Sequence, residues 1–127
     1  MPHLILEYSS NLIEKNNFQK LFAEFNPLLA KTLDTDISGC KCRAVELKDY
    51  YIGDSNPNQA FVHMELKVLR GRDSAKLRDI GTKLMELART YFAESFKKLS
   101  TQLTLEIVEL SPNYFKFSSQ STSIKVF

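Results

Sequence analysis

Two strand–helix–strand patterns follow one another along this chain, about 60 residues apart, and that order constrains the fold more than any other feature. In the first, residues 3–8 alternate, with Leu4, Leu6 and Tyr8 facing one way and His3, Ile5 and Glu7 the other. Ser9, Ser10 and Asn11 then break the strand and offer caps for a helix. Phe18, Leu21, Phe22, Phe25, Leu28 and Leu29 make one apolar stripe at helical spacing, which predicts a helix to about residue 32. Pro27 lies inside it and predicts a kink or interruption of the last turns. Residues 40–48 alternate again, with Lys41 and Arg43 on one face.

The second pattern repeats this order. Residues 60–69 alternate, with Val62, Met64, Leu66 and Val68 on one side. A turn around Gly71 leads to a helix start at Asp73 or Ser74. Leu77, Ile80, Leu84, Leu87 and Tyr91 carry that helix to about Lys98. A strand follows at 101–110, and the tail 111–127 ends in IKVF, which predicts an added edge strand. The segment 49–58 holds Gly, Pro, Asp and Asn and reads as a loop. The expected fold is therefore α+β: two pseudo-repeated β-α-β units, about 2–48 and 60–110, in one domain spanning 1–127. Each crossover makes its two strands parallel. Two helices cover one face of a four-stranded sheet, so the other face is expected to pack on another subunit.

Composition narrows the functional classes. The balance of 17 basic against 15 acidic residues gives +2, and 43% of residues are apolar, so the chain can fill a core and carries no basic footprint for nucleic acid. No apolar run is long enough for a transmembrane helix, and the N-terminus lacks the basic start of a signal peptide. A cytoplasmic protein is expected, with Cys40 and Cys42 as reduced thiols of the core. A CxC pair with no further ligands is a poor zinc set, and no metal is assigned.

Pro2 is the candidate for chemistry. Behind an initiator methionine its nitrogen is an amide with neither a proton nor basicity. Once Met1 is trimmed, which a small second residue permits, the nitrogen becomes a secondary amine. Burial or a neighbouring cation lowers the pKa of such a group and leaves a neutral base near pH 7. The strand begins at this residue, so the amine would be held at a sheet end.

The blocks MPHLILEYSSNL, FAEFNPLLA, QAFVHMELKVLRGR and LTLEIVELSPNYFKF resemble the 5-carboxymethyl-2-hydroxymuconate delta-isomerase family of the tautomerase superfamily, along nearly the whole chain. The resemblance implies a βαββαβ subunit in a homotrimer, with helices on one face of the sheet and Pro2 as catalytic base. It implies no metal or organic cofactor. The family moves a proton between carbons of an unsaturated dienol acid, in the catabolism of homoprotocatechuate. Its pattern has cations that hold the substrate carboxylates, matched by Arg43 and Arg72, with Lys41 standing where the family has an arginine. Lysine keeps the charge and loses the planar two-pronged donor set. The expected partner is thus a small carboxylate substrate, with no nucleic acid and no membrane.

Each of these residues has a plainer reading. Lys41 and Arg43 can form a solvated face or an ion pair between subunits, Arg70 and Arg72 flank a turn, and His63 fits a hydrogen-bonded histidine better than a base. Two rival functions are a tautomerase-fold protein with another substrate or no activity, and a ferredoxin-like RNA-binding module. The second lacks the basic residue, the glycine and the first aromatic of the RNA-binding signature ahead of AFVHM.

Overall fold

The alternating segments do form strands. The computed structural model describes Met1–Phe127, and its main sheet holds β1 (His3–Ser9), β2 (Lys41–Leu47), β3 (Gln59–Val68) and β4 (Ser100–Glu109) in the order β2-β1-β3-β4. β1 runs parallel to β2, and β3 parallel to β4, while β1 and β3 are antiparallel. Each parallel pair is joined by a helical crossover, α1 (Phe18–Thr32) in the first half and α2 (Ser74–Tyr91) followed by α3 (Ala93–Lys98) in the second. In a split βαβ module another strand separates the two strands of a crossover. Here they are direct neighbours, which sets this sheet apart from the ferredoxin-like alternative.

The period-two pattern decides which face is buried. Leu4, Leu6, Val62, Met64, Leu66 and Val68 are closed off from solvent and pack against Phe25 and Leu29 of α1 and Ile80 and Leu84 of α2. Each such side chain contributes about 1.5–3 kcal/mol by leaving water. An aromatic cluster locks the helices to β1: the Phe18 ring lies 4.8 Å from Tyr8 and 6.2 Å from Phe92. The opposite face, with Ile5, Arg43, His63 and Lys67, has no helix over it. His63 is bonded there through Nδ1 to Thr104 Oγ1 at 2.7 Å.

Four local expectations need correction. Pro27 does not interrupt α1, because Pro27 and Ala23 are both exposed and water can meet the carbonyl that the missing N–H leaves free. Ser9 and Asn11 do not cap α1; Phe61 N donates to Ser9 Oγ at 3.0 Å, Asn11 Nδ2 donates to Gln59 O at 2.7 Å, and the helix opens later, behind Asn17. The second helix is broken at Phe92, whose fully buried ring turns the chain before α3. The terminal segment does not extend the main sheet: β6 (Lys125–Val126) pairs antiparallel with β5 (Phe115–Lys116) in a separate small hairpin. No helix is long and apolar enough to cross a membrane.

Candidate active site

The chain begins inside the fold. Met1 and Pro2 are both buried, and Lys41 N donates to Pro2 O at 3.1 Å, so the ladder between β1 and β2 already holds the backbone at position 2. The terminus sits against a 3₁₀ turn, Ile37–Gly39. Met1 N reaches Thr35 Oγ1 at 3.5 Å. Its contact with Gly39 is so close that a Cβ built there would lie 2.9 Å from Met1 N. The glycine makes room for the first residue.

The electrostatic setting of the terminus is that of a weakened base. Burial, first of all, pulls the terminal amine below its ordinary 8.0. Cys40 opposes this, and the charges of Lys41, Lys116 and Arg72 add to it. Desolvation and like charge both disfavour the ammonium form.

Beside the terminus, β1, the 3₁₀ turn, β2 and the C-terminal hairpin enclose a cleft of about 730 Å³, lined among others by His3, Asp36, Lys41, Tyr114 and Lys116. Asp36 caps the turn by accepting from Ser38 N at 2.9 Å, and this bond, with Lys116 nearby, holds its carboxyl below the usual range. Two grooves of similar size run along α2 and do not reach the terminus.

The four residues singled out from the sequence are not all equivalent in this geometry. Pro2 is buried and is not itself part of the lining, although the next residue, His3, is; Lys41 lines the cleft, its ammonium donating to Gly39 O at 3.3 Å. Arg43 is exposed and reaches the cleft through His3, donating from Nη1 to Nδ1 at 3.3 Å. Arg72 lies outside the lining, half-buried, with Nη1 donating to Leu33 O and Nε buried without a partner, although its charge is felt at the terminal amine. The N-terminus of α2 behind it is closed by Asp73, whose side chain accepts from Ala75 N at 3.1 Å.

Tyr114 and Lys116 were not picked out by sequence reasoning. They belong to a tail with no period, and their partners at the terminus lie more than a hundred residues away. The cysteines offer no reactive thiol: both are free, and burial, with Cys40 adding, pushes Cys42 up to about 12 while its Sγ donates to Asn26 Oδ1 at 3.2 Å. No three His, Cys, Asp or Glu side chains come together as a metal-holding group.

This arrangement has relatives. The family model for 5-carboxymethyl-2-hydroxymuconate isomerase matches residues 2–124. A 5-carboxymethyl-2-hydroxymuconate Delta-isomerase of Escherichia coli is 36% identical over 112 residues, 88% of this chain and 89% of the relative. The crystal structure of a 5-carboxymethyl-2-hydroxymuconate isomerase from Deinococcus radiodurans R1 superposes with a TM-score of 0.80 at 34% identity, covering 87% of this chain and 83% of that one. A fused 4-OT wild-type symmetric trimer shares the fold at 9% identity, with a TM-score of 0.62 over 84% of this chain and 85% of its own.

Proposed function

This chain belongs to the 5-carboxymethyl-2-hydroxymuconate isomerase family and is an isomerase of that type, and from this premise we propose that it works without a cofactor, using the amine of Pro2 as its base after Met1 is removed. The observation that carries this reading is the setting of the terminus: the buried Met1 amine is lowered by desolvation and by the charges of Lys41, Lys116 and Arg72, and it stands beside a cleft that Lys41 and Lys116 line. Trimming exchanges the Met1 amine for a secondary amine one residue further in, on backbone already fixed by the bond from Lys41 N to Pro2 O.

The chemistry follows from those parts. The substrate is an acyclic dienol acid of the 5-carboxymethyl-2-hydroxymuconate kind. Lys41 and Arg72 supply positive charge for its carboxylates and for the dienolate that develops as a proton leaves. Arg43 adds a third charge from the edge of the cleft. Neutral Pro2 takes the proton at one end of the conjugated system and returns it at another. The amine acts as base in the first half and as acid in the second, and a pKa near working pH serves both halves.

Three copies of the chain form the working unit in this reading. The uncovered sheet face supports it, and so does the shared fold of a symmetric trimer. We further assign one domain to 1–127 and a cytoplasmic setting. The test is an isomerase assay on 2-hydroxymuconate-type dienols and on phenylenolpyruvate, with protein whose terminal proline has been verified. Turnover of the carboxymethyl-substituted dienol is expected. Failure with every one of them removes the reading.

A further inference from the structure

The C-terminal segment supplies most of the lining of the cleft beside β1, β2 and the 3₁₀ turn, and among its contributions are a phenol, Tyr114, and an ammonium, Lys116. Tyr114 is held from two sides. Phe127 N donates to its carbonyl at 2.9 Å, and its hydroxyl lies 2.7 Å from His3 Nε2, with the rings edge to face at 6.0 Å.

The direction of the hydrogen bonds along this chain of groups follows from chemistry. A guanidinium carries only donors. Arg43 Nη1 therefore donates to His3 Nδ1, which has to be unprotonated. The single ring proton of the neutral imidazole then sits on Nε2 and is donated to the Tyr114 oxygen. Tyr114 Oη thus accepts a hydrogen bond from His3 Nε2 and makes no other side-chain hydrogen bond within the chain, so its own O–H remains free to donate. The lowered pKa of His3, caused first by burial and then by Arg43 and Lys41, agrees with a neutral ring.

We propose that the Tyr114 hydroxyl is a substrate-binding donor, oriented by His3 and Arg43, which together with the Lys116 ammonium receives one carboxylate of an acyclic dicarboxylate in the cleft. Asp36 also lines the cleft, so the charge there is two lysines against one carboxylate, a net positive site that favours a dianion over a neutral molecule. His3 and Arg43 are positioning residues in this arrangement. By accepting at the tyrosine oxygen, Tyr114 becomes a more polarised donor on its other side. The ligand class rests on the proposed isomerase reading, whereas the donor direction rests on geometry alone.

The experiment is calorimetric binding of adipate, a saturated and unreactive dicarboxylate, to the full-length protein. Tyr114→Phe is expected to weaken binding by about ten- to a hundredfold, the range for a hydrogen bond to a charged group. Lys116→Gln is expected to weaken it as well and to reduce its salt dependence. Replacing Tyr114 with 3-fluorotyrosine separates binding from mere anchoring of the tail. Its hydroxyl is a stronger donor and a weaker acceptor, so adipate should bind more tightly, whereas a purely structural tyrosine bonded to His3 would be loosened. Nitrogen-15 NMR of His3 should show the proton on Nε2. Wild-type binding that is absent, or unchanged in Tyr114→Phe, overturns the proposal, as does a proton on Nδ1. Because adipate is not turned over, these results are independent of whether the isomerase assay succeeds.

Discussion

Gly39→Ala should be costly only while Met1 is in place. An added Cβ would stand 2.9 Å from Met1 N and 3.7 Å from Met1 Cα, and nothing beyond these and the neighbouring residues comes within 4 Å. Real Cβ atoms do not approach backbone atoms at the shorter distance, so Met1 or the turn must shift. Overpacking of this kind costs about 1–3 kcal/mol. Gly39 has no left-handed backbone angle, so alanine is tolerated locally, and the loss of freedom in the unfolded chain stabilises by about 0.4–1 kcal/mol. That second effect is the same with and without Met1 and cancels when the two forms are compared. The assay is urea unfolding of four proteins: wild type and Gly39→Ala, each with Met1 retained and with Met1 removed. With a denaturant slope of about 1–3 kcal/mol per molar, the retained form should lose on the order of 1 M in midpoint relative to the trimmed form. Equal effects of the substitution in both forms would refute the claim that Gly39 makes room for the first residue.

Three further outcomes follow. Pro2→Ala should lose most isomerase activity, by about ten- to a hundredfold, short of the roughly 10²–10⁴-fold that a general base contributes, because a primary amine substitutes in part; the readout is kcat at saturating dienol. Arg72→Ala should raise KM and lower kcat if, as proposed, its charge serves both the bound carboxylate and the developing negative charge, and steady-state kinetics check this. The base works unprotonated, so kcat/KM should rise with pH through an acid limb, and Arg72→Ala should move that limb upward because one of the like charges felt at the terminus is gone.

The faces of the sheet were readable because alternation at period two is a direct consequence of strand geometry: Leu4, Leu6, Val62 and Met64 fall on the buried side as their spacing requires. The start of α2 was readable for a similarly local reason, the Asp73 cap. Pro27 misled, because the penalty of a proline depends on where the freed carbonyl points, and only the fold fixes that. The break at Phe92 was hidden because a buried ring continues the apolar stripe of a helix as well as it ends one. In the candidate site, Pro2 and Lys41 could be found from position and charge in the chain, whereas Tyr114 and Lys116 could not. The strand that follows Tyr114 and holds Lys116 is two residues long, and their placement depends on a hairpin that brings Tyr114 to His3 at the other end of the chain. Arg72 was legible as a cation but not in its placement, since its bond to Leu33 O joins segments 39 residues apart.

The central claim is that the working base is a freed Pro2 amine. Its most direct test is intact-mass spectrometry of the protein purified from its own cells, paired with activity of a sample in which methionine removal has been blocked. The account predicts a mass lacking the first residue and an inactive blocked sample; full turnover by protein that still carries Met1 would contradict it.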